Sequence, residues 1–187
     1  MFGAEAIALM NTGRPGHPDR LDERWLATAL AQWSVGPWGV AHGSVVQRGR
    51  ITGDDLDELR RLRTMLRRWA GVVAAGELLS TEDLGDLNRL LARTPSSSRV
   101  LVDGERYVLD MTPVAADWRD VAIAEILGSF AAMLRADPTR LRICAAPGCG
   151  TVFRDETRSR TRSWCDNRTC GNRVRVQRHR TGGPAGG

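Results

Sequence analysis

The chain has 187 residues, enough for one well-formed core and a small appended module. Its 27 basic residues are all arginine and exceed the 22 acids by five, and no apolar stretch approaches the length of a bilayer span, which excludes a membrane-spanning helix. The distribution of charge is more informative: residues 1–138 hold 16 Arg against 19 acids, net −3, and residues 139–187 hold 11 Arg against 3 acids, net +8.

In chain order, the first ten residues contain Glu5 and lack both the basic start and the long apolar core of a signal peptide, so a bacterial-type cytoplasmic protein is expected. A helix is predicted over residues 21–34, with Asp22 and Glu23 in its first turn and Leu26, Leu30 and Trp33 on one face. Gly36, Pro37, Gly39, Gly43 and Gly49 make residues 35–53 irregular. Thr52 then opens the clearest helix, with Asp54 and Asp55 at its start and Leu59, Leu62, Leu66, Trp69 and Val73 forming one apolar stripe. Ser80 with Asp83 resembles a capping box, and Leu84, Leu87 and Leu91 supply the buried side of the helix that follows. Residues 100–109 read as a β-hairpin turning at Asp103-Gly104, since Asp-Gly tolerates the positive φ angles of a two-residue turn. A last long helix is predicted from about Ala115 to just before Pro138, with Ile123, Leu127, Phe130 and Leu134 at helical spacing. Pro138 marks the expected boundary: a helical domain over 1–138, a cysteine module over 139–181 and a disordered tail over 182–187. The N-terminal domain, with its own apolar stripes, is expected to melt cooperatively without metal.

The four cysteines form two C-x4-C pairs, Cys144 with Cys149 and Cys165 with Cys170, separated by fifteen residues. Paired thiolates bracketing one loop can surround one zinc ion. An iron site uses the same ligands, and two disulfides would require an oxidising compartment. Neither pair is the C-x-x-C of a thiol oxidoreductase. A metal also supplies folding energy that forty residues with few large apolar side chains lack, and Phe153 and Trp164 are read as the module's small core. Asp155 is read as orienting an arginine or a backbone amide rather than as a fifth ligand.

Phe153-x-Asp155, the basic run at Arg158, Arg160 and Arg162, Trp164-Cys165 and the tetrad Cys170-Gly171-Asn172-Arg173 closely resemble the CGNR zinc finger over residues 140–180. Ile7-Ala8-Leu9-Met10-Asn11-Thr12 and the Leu59-Arg60-Arg61-Leu62-Arg63 helix are similar to the ABATE domain that precedes this finger. The resemblance implies an α+β, mainly α fold, with a small treble-clef-like finger holding zinc, in a bacterial transcription regulator.

Seven arginines are the candidate contacts to duplex DNA: Arg158, Arg160 and Arg162 in a strand-like row, and Arg173, Arg175, Arg178 and Arg180 on a helix after Cys170. Asn11, Thr12, Arg60 and Arg63 are candidates for a pocket taking a small-molecule effector, and the N-terminal domain is expected to sense such a ligand, to form a homodimer, or both. Asn and Thr capping a neighbouring helix, with Arg paired to acids, is an equally good account of those four. Without lysine there is no phosphate-loop G-K-[ST], and the nucleophile-elbow and H-E-x-x-H motifs are missing, so no enzymatic activity is expected. The alternative is a finger that is structural or binds protein, beside an N-terminal small-molecule module or enzyme. Arginines paired with the acidic domain would favour that alternative.

Overall fold

The computed structural model describes residues 4–33, 51–93, 96–103, 106–113 and 118–180. Most of the segment predicted to be irregular, and the predicted tail, lie outside them. Among the described residues the chain is mainly helical, with six α-helices and two antiparallel two-stranded sheets: α1 (Ala4–Met10), α2 (Glu23–Trp33), α3 (Gly53–Ala74), α4 (Thr81–Ala92), β1 (Ser96–Asp103), β2 (Arg106–Pro113), α5 (Trp118–Ala136), β3 (Leu141–Ile143), β4 (Val152–Arg154) and α6 (Asn172–Arg180). No helix among them is long and apolar enough to cross a membrane.

The central helix α3 forms where its sequence demands it. Thr52 accepts from the Asp55 amide while the Asp55 carboxylate accepts from the Thr52 amide, so two donors left over at the helix start are satisfied reciprocally. Its stripe of Leu59, Leu62, Leu66, Trp69 and Val73 is buried as predicted, and Trp69 meets Phe130 of α5 with ring centroids 6.0 Å apart. Helix α5 also buries Ile123, Ile126, Leu127 and Met133 in this core.

Three expectations shift. The short Ala-rich α1, read only as an apolar stretch, is a helix whose Ala6, Leu9 and Met10 are fully buried against α3 and α5. The hairpin pairs Asp103 with Arg106, so Asp103 belongs to β1 and the connection falls at residues 104–105, which are outside the described set. On α4, Leu87 is buried but Leu84 is 43% exposed. The α4 surface turned inward includes Asp83, which accepts from Trp69 Nε1 at 2.9 Å, since a buried indole N–H needs an acceptor.

Pro138 breaks the chain but not the packing. Asp137 caps a 3-10 turn over Pro138–Arg140, and the chain enters β3 directly. Leu141 of β3 and Val152 of β4, 2% and 0% exposed, belong to the same apolar cluster as Leu66 and Trp69. The first cysteine pair therefore sits at the end of a hairpin whose base is part of the main core.

Candidate metal centre

The β3–β4 hairpin presents the first cysteine pair. Strand pairing continues past Ile143 through the Cys144 amide, which donates to the Thr151 carbonyl at 2.8 Å, and the chain reverses at Pro147-Gly148 with Cys149 N–H donating to Ala146 O. Gly148 and Gly150 have φ of +70° and +58°, where a side chain would be strained. A Cβ at Gly150 would also lie 2.8 Å from Pro15 Cδ.

The second pair comes from a capped helix start. The Asp166 carboxylate accepts from the Arg168 amide, and its carbonyl accepts from Cys170 and Gly171, winding the wide turn Asn167–Gly171 that leads into α6. Hydrogen bonding of the Arg168 amide, more than the other contacts, keeps the Asp166 carboxyl ionised below its usual range. A hairpin carrying one pair and a helix N-terminus carrying the other give the treble-clef-like layout.

The four sulfurs converge within 4.8 Å of one another, with Cys149 to Cys165 at 3.7 Å, Cys165 to Cys170 at 3.8 Å and Cys170 to Cys149 at 3.6 Å. Disulfides need sulfurs about 2.05 Å apart, whereas four sulfurs about 2.3 Å from a tetrahedral zinc stand about 3.8 Å from each other. Cys144, Cys149, Cys165 and Cys170 thus fit one zinc ion, which would tie hairpin to helix. Phe153, Trp164, Ala146 and Val174 pack around the sulfurs as a small second core.

The thiols perturb one another. Burial would raise the Cys149 thiol, but the Thr151 side chain and amide and the neighbouring thiols bring it down to about 6, while burial and the surrounding sulfurs push Cys165 up to about 12. Sulfurs this close compete for ionisation, and a dication among them removes the competition. Metal uptake accordingly releases protons, and affinity falls as pH falls.

Asp155 is fully buried and is not among the groups that converge as candidate metal ligands. It accepts from Thr157 N, Thr157 Oγ1 and Arg162 N at 2.9, 2.6 and 2.8 Å, closing the loop from β4 to Trp164. Burial opposes its charge, and these donors, with Arg142 nearby, outweigh burial and hold the carboxyl below its usual range. Asp155→Ala is expected to cost roughly 3 kcal/mol, because it strands buried donors. Denaturant unfolding of the zinc-loaded full chain measures this, and Asp155→Asn, which keeps an acceptor, should cost less.

That loop corrects the reading of Arg158, Arg160 and Arg162 as a strand. Residues 155–163 are irregular, and Arg160 has φ of +54°. The alternation fails because Asp155 draws the Arg162 amide inward. Arg162 lies 5.4 Å over the Phe153 ring and donates to Trp164 O and Cys165 O, Arg160 pairs with Asp137 at 3.1 Å, and Arg158 is exposed. On α6, Arg173 reaches Pro147 O at 3.4 Å and Cys170 Sγ at 3.7 Å, Arg175 lies over Trp164 and donates to Asn167, and Arg178 and Arg180 are exposed. Among the described residues Arg173, Arg175 and Arg180 form no ion pair with an acid.

The structure brings Asn11, Thr12, Arg60 and Arg63 close together and engages each with protein partners. Arg63 holds Asp19 with Nη1 and Nη2 at 2.6 and 2.8 Å and donates to Thr12 Oγ1, Arg60 approaches Asp19 at 3.4 Å, and Thr12 donates to Leu9 O. The Arg63 hydrogen bond holds the Asp19 carboxyl well below the usual range. Arg63 lies so close over Gly13 that a Cβ there would stand 2.5 Å from its guanidinium carbon. Asn11 pairs instead with Val152, 141 residues away.

Sequence reasoning missed Arg14 and Arg67. Arg14 donates to Thr151 Oγ1, and Arg67 donates to the carbonyls of Met10 and Gly150. Burial, then Arg63 and Arg14 beside it, depresses the Arg67 pKa. No local pattern signals contacts that span 83 and 137 residues.

The family model of the CGNR zinc finger matches residues 140–181. The ABATE model, whose description reads "Putative stress-induced transcription regulator", matches residues 3–137. No curated protein matches the chain.

Proposed function

The chain belongs to the ABATE family and ends in a CGNR zinc finger, and from that premise we propose that it regulates transcription by binding duplex DNA through the finger. The observation that carries this reading is α6, a nine-residue helix with four exposed arginines that starts two residues after Cys170 of the four-sulfur cluster. Charge segregation supports it, since the finger segment is net +8 on a domain of net −3. Zinc at the four cysteines would hold the helix in place, and Arg158, Arg175, Arg178 and Arg180 reach phosphates. Arg160 and Arg162 shape the loop behind them. The N-terminal domain receives the signal, from a small molecule or a second copy of the chain.

A second reading has its own observation. Leu141 and Val152 are built into the main core, as they would be if the finger were a structural staple or a protein-binding module. Salt titration of binding to duplex DNA separates the two. If about four arginines meet phosphates, log affinity falls with log salt at a slope of roughly −3.6, and each of Arg175→Ala, Arg178→Ala and Arg180→Ala flattens it by about one unit. Arg173 is a poor test because its loss also touches Cys170. Binding insensitive to salt, or unchanged when Arg158, Arg175, Arg178 and Arg180 are all neutralised, favours the staple.

A further inference from the structure

The loop after α1 grips the first cysteine pair from outside the finger. His17 Nε2 lies 3.1 Å from Gly148 O, Arg67 donates to Gly150 O at 2.9 Å, and Arg14 Nη1 donates to Thr151 Oγ1 at 3.0 Å. The Asn11 side-chain amide takes both the carbonyl and the amide of Val152, at 2.8 and 2.9 Å, in the manner of a neighbouring strand. Four of the five residues from Gly148 to Val152 are thus held by groups more than eighty positions away in sequence.

Thr151 is where this grip meets the ligands. Its carbonyl accepts the Cys144 amide at 2.8 Å, and its hydroxyl lies 3.2 Å from Cys149 Sγ. A guanidinium only donates, so Arg14 occupies a lone pair of the Thr151 oxygen and leaves the single hydroxyl proton for the sulfur. Once Cys149 is a thiolate its sulfur can only accept, so Thr151 is the donor, and Arg14, a residue of the N-terminal domain, orients the hydroxyl toward it. A hydrogen bond donated to a metal-bound thiolate disperses its charge, and fixing the donor removes the entropic cost of orienting it on binding.

We propose that Asn11 and Arg14 are positioning residues of the zinc site, acting through Val152 and Thr151, so that metal occupancy and packing of the N-terminal domain are a single coupled equilibrium. The grip raises metal affinity in the full chain, and by reciprocity the metal tightens the grip. Any event that loosens the loop at Asn11 to His17 lowers the affinity for zinc, and loss of zinc frees that loop. This coupling involves the cysteine site alone, whatever the finger binds.

Zinc affinity of the full-length protein, measured by competition with a chromophoric chelator, tests the proposal. Asn11→Ala and Arg14→Ala are each expected to weaken zinc binding about 10- to 100-fold, the usual effect of losing a group that orients a metal ligand. Arg14→Lys, which still donates, should recover part of the loss, and Arg24→Ala on the exposed face of α2 should show none. Thr151→Val removes the hydroxyl while leaving Asn11 and Arg67 their partners, and it decides the matter if Arg14→Ala does not fold. Since Arg14 and Thr151 act through one hydrogen bond, the double variant should be no weaker than the worse single variant. Wild-type affinity in folded Thr151→Val, or full additivity in the double variant, overturns the proposal.

Discussion

Chelating zinc from the full chain is expected to unfold the finger and to loosen the N-terminal core in the same transition. The sulfurs' own surroundings are thin: Phe153, Ala146 and the partly buried Trp164 and Val174 are the apolar groups packed on them. A structural zinc ion contributes about 10–16 kcal/mol in small zinc modules, against a total stability of about 5–15 kcal/mol for an ordinary domain. The finger therefore has no folded state to fall back on once the metal leaves. Because Leu141 and Val152 lie in the main core, and Arg67 and Asn11 lose partners when the hairpin melts, part of that loss reaches α1 and α3. If about 5 kcal/mol is transmitted, the melting temperature drops by about 10–20 °C. Hydrogen exchange should show α1 and α3 amides losing protection on chelation, and Cys165→Ser should reproduce this. Acid should act in the same direction, since thiols that reprotonate release the metal. An apo chain whose N-terminal amides keep their protection would show that the finger is an independent appendage.

The sequence made the finger legible because metal ligands are chemically rare and their spacing is local. The same holds for α3, whose Thr52 cap and five-residue stripe lie in one continuous segment, and for α6, whose start follows from the last cysteine. What escaped was long-range. Asn11 looks like the end of an apolar stretch, yet its amide completes the free edge of β4 across 141 residues. Arg14, in the loop after α1, orients a hydroxyl beside Cys149 from 137 residues away. Arg158, Arg160 and Arg162 alternate as a strand would, but the buried Asp155 carboxylate gathers the Arg162 amide and the Thr157 hydroxyl into a turn, and three hydrogen bonds to one charge outweigh weak strand propensity. On α4, helical periodicity placed Leu87 and Leu91 against the core but not Leu84, which is exposed, while Asp83 turns inward because the Trp69 N–H needs an acceptor.

The packing also bears on a fragment ending at Asp137. Its composition favours an autonomous fold, with α1, α3 and α5 contributing the largest buried side chains, among them Trp69 and Phe130. Removing residues 138–187 nevertheless uncovers the surface filled by Leu141 and Val152, worth about 4–5 kcal/mol if both had been fully buried. It also strands Arg67, half-buried among like charges with one of its two carbonyl acceptors gone, and deprives Asn11 and Arg14 of the partners described above. The fragment is expected to lose roughly 5 kcal/mol, enough to bring an ordinary domain close to its melting point at room temperature. Denaturant unfolding of the fragment beside the zinc-loaded full chain measures the difference. In the full chain, Leu141→Ala with Val152→Ala isolates the packing part from the hydrogen bonds and should account for about half or more of the loss. A fragment as stable as the full chain, with the double variant near neutral, would make Pro138 an energetic boundary and the shared core incidental.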